Sequence, residues 1–75
     1  MVRILLIEDH SLVRAGIRQM LKDVRGMEVV GEAGTGLEGV HLARELRPQV
    51  VILDFKLPDI SGLEVTNKLL RIDPH

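Results

Sequence analysis

Two short, continuous apolar runs constrain the fold of this chain more than any other feature. Residues Val2 to Ile7 and Val50 to Leu53 consist mainly of aliphatic side chains. Such runs are too short for a helix and too continuous for a half-exposed strand, which indicates strands covered on both faces. Between them, Met27 to Ala33 alternates with polar residues, a pattern suited to an edge strand. The first and third strands are therefore predicted to be central and the second peripheral.

The segments that separate these strands carry a helical period. Apolar residues recur at every third or fourth position from Leu12 to Val24, and Gly26 follows as a stop signal. Thr35 precedes Glu38, and Ser61 precedes Glu64, at the spacing of a capping box, which opens a helix. Proline then prevents each of these two helices from continuing. The second and third predicted helices, with the prolines that follow, are residues 36–46 with Pro48 and residues 62–72 with Pro74.

The resulting order is β-α-β-α-β-α, which predicts an α/β fold with parallel strands joined by right-handed crossovers. If the polar second strand lies outside the first, the strand order is 2-1-3, as in the open sheet of a flavodoxin-like topology. The chain then reverses direction between the first and third strands. The first helix lies on one face of the sheet and the next two on the other. This reversal opens a crevice at the carboxyl ends of those two strands, where open α/β sheets bind ligands.

Acidic residues are predicted to meet in this crevice. Glu8 and Asp9 directly follow the first strand, and Asp54 directly follows the third. Like charges at close range raise one another's pKa and repel, so such a cluster calls for a cation or a proton. Hard oxygen ligands without cysteine favour Mg²⁺. The alternative is that each acid only begins a loop or caps a helix, as Asp9 could for the first helix.

Composition excludes several classes of function. The 75 residues carry 10 basic and 11 acidic side chains, and a net charge of -1 gives no basis for binding nucleic acid or an anionic membrane. Phe55 is the only aromatic residue, so stacking on bases is excluded, and the absence of cysteine excludes disulfides and thiolate chemistry. No apolar run approaches the ~18 residues that span a bilayer. We expect a soluble, cytoplasmic chain without membrane partners.

Three segments resemble the receiver domains of two-component response regulators, and the resemblance extends over the whole chain. They are Ile7-Glu8-Asp9-His10, Val51-Ile52-Leu53-Asp54 and the run from Lys56 to Glu64. The segments from Asp9 to Ile17 and from Ala43 to Pro48 are most similar to GacA-type (NarL/FixJ) regulators, which carry a LuxR-type helix-turn-helix output domain. The resemblance implies a signalling domain that takes part in its own phosphotransfer and is not otherwise an enzyme.

The resemblance also implies a role for each acidic residue. Asp54 would accept phosphate from the phosphohistidine of a sensor histidine kinase. Asp9 would bind Mg²⁺ directly and Glu8 would act beside it, while the third protein ligand would be the backbone carbonyl of Lys56. In the parent protein this switch would control a DNA-binding output domain, which lies outside the chain.

Residues 1–75 correspond to the β1 to α3 part of such a receiver. The β4-α4-β5-α5 part, with a Ser or Thr and a Lys of the phosphorylation site, is not among them. We therefore expect a half-assembled site, and we expect the fragment to self-associate through the open edge of the third strand and the apolar stripe from Leu12 to Val24. An alternative function is a protein-protein interaction or dimerisation module.

A rival reading concerns the Gly-x-Gly-x-x-Gly motif from Gly34 to Gly39, which opens a predicted helix as dinucleotide-binding motifs do. It follows an edge strand and lies near an acidic crevice, and each glycine has a turn or cap explanation, so we do not favour this reading. The histidines His10, His41 and His75 show no metal-ligand spacing. Arg14 with Arg18 is interpreted as a small solvated basic face.

Overall fold

A computed structural model describes residues 1–73 of the chain, so Pro74 and His75 lie outside the described residues. The predicted bounds of all three strands and of the second and third helices are confirmed. The first helix occupies the predicted stripe but ends before Val24. The elements are β1 Val2–Ile7, α1 Ser11–Lys22, β2 Met27–Ala33, α2 Gly36–Leu46, β3 Val50–Leu53 and α3 Gly62–Ile72.

The three strands form one parallel sheet in the order β2-β1-β3. This confirms the predicted open α/β sheet and its strand order. The pairing of β1 with β2 shifts between Ile4 and Leu5, which lie opposite Val29 and Gly31, so Val30 is an extra residue in β2. Gly31 lies against α2, since a Cβ atom there would come within 2.6 Å of Leu46 Cδ1. The glycine therefore lets α2 pack closely over the bulged strand.

Successive residues of β1 fill the two faces of the sheet, as the alternation of a strand requires. One face of the sheet forms the core under α2 and α3, and these two helices contact each other. Ile4 and Leu6 point to the opposite face, where they are 2% and 0% exposed. The helix α1 packs against β2 and has no fully buried residue. The core under α2 and α3 consists of Leu5, Ile7, Ala33, Val40, Ala43 and Val65.

Two hydroxyl side chains cap helices as the sequence predicts. Thr35 Oγ1 accepts from the backbone N–H of Glu38 at 3.2 Å, and Ser61 Oγ accepts from that of Glu64 at 3.1 Å. These bonds satisfy donors that an isolated helix end leaves unpaired. α2 begins three residues after the end of β2, and the first residue of α3, Gly62, donates to the carbonyl of Phe55, two residues beyond β3. Both helices therefore begin at the carboxyl edge of the sheet.

One side of the molecule is left uncovered by the described elements. Among the described residues β3 is an edge strand with β1 as its neighbour, and its first residue, Val50, is 43% exposed. The prediction that the third strand is central and covered on both faces is therefore wrong for residues 1–73, because no further strand pairs with its outer side there. On α1, Val13 is 50% exposed and Met20 is 71% exposed. Apolar side chains of a sheet edge and of a helix are thus in contact with solvent. Within residues 1–73, no helix has the length and apolar character needed to cross a membrane.

Candidate functional site

The carboxyl ends of β1 and β3 bring their following acids side by side. The backbone N–H of Asp54 donates to the carbonyl of Ile7 at 3.0 Å, and the N–H of Glu8 donates to the carbonyl of Ala33 at 3.0 Å. These bonds extend the strand pairing by one residue beyond β1 and β3. The positions of the two acidic residues are therefore set by the sheet itself.

Four side chains meet at this edge. Each of Glu8, Asp9, His10 and Asp54 offers one ligand atom, and these atoms all lie within 4.8 Å of one another. The predicted convergence of the three carboxylates is confirmed. The carbonyl of Lys56 as a metal ligand stays a prediction, although the Lys56 backbone N–H donates to Asp54 Oδ1 at 3.0 Å and so holds this residue beside the cluster.

His10 belongs to the cluster, and the spacing of the histidines to one another gives no sign of this, because the partners of His10 are carboxylates. His10 Nδ1 lies 2.7 Å from Glu8 Oε1, 3.0 Å from Asp9 Oδ1 and 4.0 Å from Asp54 Oδ2. The hydrogen bond to Glu8, followed by the charges of Asp9 and Glu8, raises the pKa of the imidazole. His10 is thus a titratable group that lies directly against the carboxylates.

Asp9 does not cap α1, so the capping explanation of this acid is wrong. The N-cap residue of α1 is His10, whose side chain makes no capping hydrogen bond. Among the described residues, Asp9 Oδ1 is a buried oxygen that accepts no hydrogen bond, and its close approach to His10 Nδ1 at 3.0 Å is an ion-pair contact. A buried carboxylate oxygen without a donor is costly unless a cation compensates it. The donor set therefore fits a hard divalent ion.

The pKa of Asp54 departs from expectation. Mutual repulsion of the acids was expected to raise it, but it lies below its ordinary value. The main cause is the backbone N–H of Lys56, followed by a hydrogen bond shared with Glu8 and, more weakly, the charge of His10. Asp54 is therefore held as a carboxylate, the form that can act as a nucleophile.

The arginines of α1 are not merely a solvated face, which corrects that interpretation. Arg14 Nε lies 3.2 Å from Glu32 Oε1 on β2, and Arg18 Nη1 lies 2.9 Å from the same oxygen. Arg14 Nη1 also donates to the backbone carbonyl of Glu8 at 2.8 Å. These contacts join α1 to β2 and to the backbone of the acidic cluster.

Two glycines of the Gly34 to Gly39 motif, Gly36 and Gly39, serve packing. A Cβ atom on Gly36 would lie 2.6 Å from Ile60 Cγ1, and one on Gly39 would lie 2.7 Å from Ile7 Cγ1. Both distances are shorter than van der Waals contact. The spacing of these two glycines thus reflects the close approach of α2 to its neighbours, not a phosphate cradle.

The N-terminus of α2 already holds a carboxylate from its own chain. Asp59 Oδ1 accepts from the backbone N–H of Gly36 at 2.8 Å, and Oδ2 accepts from that of Leu37 at 2.9 Å. Thr35 takes the next donor, that of Glu38. A pyrophosphate would need these same groups, so the geometry contradicts the dinucleotide reading.

Comparisons with known proteins agree with this geometry. The family model of the response regulator receiver domain matches residues 4–75. Response regulator GacA of Pseudomonas viridiflava is 54% identical over 74 residues, which cover 99% of this chain and 35% of that protein. The response regulator domain of Thermotoga maritima CheB superposes with a TM-score of 0.94 at 31% identity, over 99% of this chain and 55% of that one.

A further solved structure is RcsB from Salmonella enterica serovar Typhimurium, bound to the promoter rprA in the presence of the phosphomimetic BeF3-. It superposes with a TM-score of 0.88 at 26% identity, over 99% of this chain and 63% of that one. The fold, the acidic edge and these matches lead to one conclusion. The chain belongs to the response regulator receiver family, and it spans about a third of the length of its GacA relatives.

Proposed function

We propose that this chain is a phosphoacceptor receiver of a two-component system, with Asp54 accepting phosphate from a sensor histidine kinase. The observation that carries the proposal is the position of the Asp54 carboxylate, which lies at the carboxyl end of β3 within 4.8 Å of Glu8 and Asp9. Membership of the receiver family supports it. The lowered pKa of Asp54 supports it further, because a protonated carboxyl would be a poor nucleophile.

The proposed step is a transfer between two amino-acid side chains. A carboxylate oxygen of Asp54 attacks the phosphorus atom of a phosphohistidine on the kinase, and a P–O bond forms as the P–N bond breaks. The imidazole leaves with the electron pair and takes up a proton. The product is an acyl phosphate on Asp54, so the receiver contributes its own nucleophile and is not an enzyme acting on a separate substrate.

We assign Mg²⁺ as the cofactor of this step. Asp9 and Asp54 would bind it directly, Glu8 would act beside them, and the Lys56 backbone carbonyl would complete the protein ligands. When bound, the ion would neutralise the charge between the carboxylates and the incoming phosphoryl group. The buried, unbonded oxygen of Asp9 supports this assignment.

We further propose that residues 1–75 form the β1 to α3 part of a receiver whose β4-α4-β5-α5 part lies outside them. In the parent protein, phosphorylation would control a DNA-binding output domain in the cytoplasm. The promoter-bound RcsB structure supports this for a relative of the same fold. The chain covers only 35% of GacA of P. viridiflava, so control of transcription is a proposal about the whole protein.

The proposal is tested by phosphorylation in the presence of Mg²⁺. Acetyl phosphate or a phosphorylated histidine kinase should add one phosphoryl group to the completed receiver domain, measured by intact mass. Asp54→Asn, which is nearly isosteric but lacks the nucleophilic carboxylate, should abolish labelling. Asp23→Asn is the matched control, because Asp23 is the C-cap residue at the far end of α1 and should leave labelling unchanged.

A second candidate function, self-association, is favoured by the uncovered side of the molecule. The edge strand β3 offers backbone groups for pairing with another chain, its residue Val50 is half-exposed, and Val13 and Met20 expose apolar area on α1. Covering about 300 Å² of such surface would contribute roughly 7 kcal/mol at ~25 cal/mol/Å², against an association cost of similar order. A second copy of residues 1–75 is the occupant we propose.

A further inference from the structure

The loop between β3 and α3, residues 54–61, is bonded at three places. At its start, the Lys56 N–H donates to Asp54 Oδ1 at 3.0 Å. At its end, the Gly62 N–H donates to the carbonyl of Phe55 at 3.1 Å. Between these, Asp59 bonds outside the loop altogether, to the first turn of α2. Beyond Asp54, whose N–H donates to the Ile7 carbonyl of β1, the bonds of Asp59 are the ones that join the loop to an element that does not adjoin it in sequence.

We propose that Asp59 is a positioning residue that clamps this loop to α2 and so fixes the Lys56 backbone beside Asp54. The inference rests on the proposed function, because the position of Lys56 is important only if its backbone carbonyl binds Mg²⁺. The clamp itself is a matter of contacts. Each oxygen of the Asp59 carboxylate accepts one hydrogen bond, from the backbone N–H of Gly36 at 2.8 Å and from that of Leu37 at 2.9 Å.

The chemistry of the helix terminus suits a carboxylate at this place. The first N–H groups of a helix are unpaired and carry a partial positive charge, so an anion binds them better than a neutral group does. Hydrogen bonds from Leu37 and then Gly36 lower the pKa of Asp59, which keeps the clamp charged. Thr35 caps α2 separately through Glu38. Asp59 is therefore not needed as the ordinary cap of this helix.

The surroundings show why the clamp can reach α2. Gly36 has no side chain, and a Cβ atom there would lie 2.6 Å from Ile60 Cγ1, the residue after Asp59. Pro58, the residue before Asp59, has a restricted backbone. Leu57 and Ile60 pack against the core from the same loop. Motion of Asp59 would thus be transmitted along a short, stiff segment to Lys56.

A positioning role is separated from simple stabilisation of α2 by a matched pair of variants. Asp59→Ala removes the clamp, whereas Thr35→Ala removes the other side-chain cap of α2 without touching the loop. Asp59→Asn serves as a milder variant, because one amide oxygen can still accept from one donor. Two readouts are measured on the full chain: solvent exchange of the Lys56 N–H by NMR, and the affinity for Mg²⁺ alone by calorimetry.

We expect Asp59→Ala to speed exchange of the Lys56 N–H roughly tenfold, as loss of a cap-type hydrogen bond predicts. Mg²⁺ affinity should fall by about the same factor, as for loss of a group that orients a metal ligand. Asp59→Asn should give smaller changes in the same direction. Thr35→Ala should leave both values within about twofold of wild type, since the loop keeps its bonds. Slow exchange in β1 verifies that each variant is folded.

Equal effects of Asp59→Ala and Thr35→Ala would overturn the inference, because they would show a general effect of α2. Unchanged Lys56 exchange in folded Asp59→Asn and Asp59→Ala would also overturn it. The exchange measurement needs neither metal nor phosphodonor. A failure of Asp54 to be labelled would therefore refute the proposed function while leaving the clamp to be judged on its own result.

Discussion

The imidazole of His10 is hydrogen bonded to the carboxylate of Glu8, with Nδ1 2.7 Å from Oε1. The backbone N–H of His10 donates to the same oxygen at 3.3 Å. The imidazole and the backbone N–H of His10 thus both bond Glu8 Oε1, the oxygen that would act beside Mg²⁺ in the proposed function. The consequence is a competition between His10 and Mg²⁺ for the acidic cluster.

Replacing His10 should therefore strengthen metal binding. In His10→Ala the part-buried side-chain hydrogen bond to Glu8 is lost, and Mg²⁺ affinity should rise by about tenfold, given the strength of a hydrogen bond to a charged group. Titration calorimetry measures the change. His41→Ala is the control, since His41 is on the solvent side of α2 and lies 3.2 Å from Glu45. Weaker binding in His10→Ala would mean that the imidazole is a ligand, not a competitor.

Two glycine substitutions should change stability in opposite directions. A Cβ atom on Gly39 would overlap Ile7, with Cγ1 at 2.7 Å, so Gly39→Ala should destabilise the fold by about 1–3 kcal/mol. A Cβ atom on Gly16, within α1, would meet nothing within 4 Å. Gly16→Ala should therefore stabilise by up to ~1 kcal/mol through helix propensity. Denaturant unfolding compares the two, and a neutral Gly39→Ala would contradict the packing described.

The Asp59 clamp should make part of the stability depend on pH. Its folded-state pKa is lowered by the N–H groups of Leu37 and Gly36, so its contribution is present well above the ordinary value of 3.8 and is lost as the pH falls through the lowered value. Unfolding free energies of wild type and Asp59→Asn should differ at neutral pH. The difference should shrink as the pH is lowered through that window. A difference that grows towards acid pH would contradict the lowered pKa.

Self-association should depend on the edge strand. Chromatography with light scattering should find the 75-residue polypeptide larger than a monomer, and Val50→Lys should shift it towards a monomer. Val50 is 43% exposed, so the lysine can reach solvent without disturbing the core. Glu45→Lys, an exposed change of α2, is the control and should leave the size unchanged. A folded wild-type monomer would refute the second candidate function.

The order of elements was predictable because local patterns specify it. The apolar runs mark β1 and β3, and the hydroxyl residues Thr35 and Ser61 mark the starts of α2 and α3. The convergence of Glu8, Asp9 and Asp54 followed from parallel topology alone, since carboxyl ends of adjacent parallel strands share an edge.

Other parts of the site depend on contacts that no local pattern marks. Asp59 reaches Gly36 across 23 positions of sequence, and Arg18 reaches Glu32 across 14. Both are charged residues in segments that look like ordinary surface. The lowered pKa of Asp54 also depends on such contacts, on the backbone N–H of Lys56 first and on a hydrogen bond shared with Glu8 second. Contacts between residues so far apart in sequence follow only from the folded structure.

The most direct test of the account is to locate the phosphoryl group. Borohydride reduces an aspartyl phosphate to homoserine. The completed receiver domain, treated with acetyl phosphate and Mg²⁺, should therefore yield homoserine at position 54 when its peptides are analysed by mass spectrometry. The Asp54→Asn variant should yield none. Homoserine at position 9 or 59, or a borohydride-resistant phosphate elsewhere in the chain, would contradict Asp54 as the phosphoacceptor.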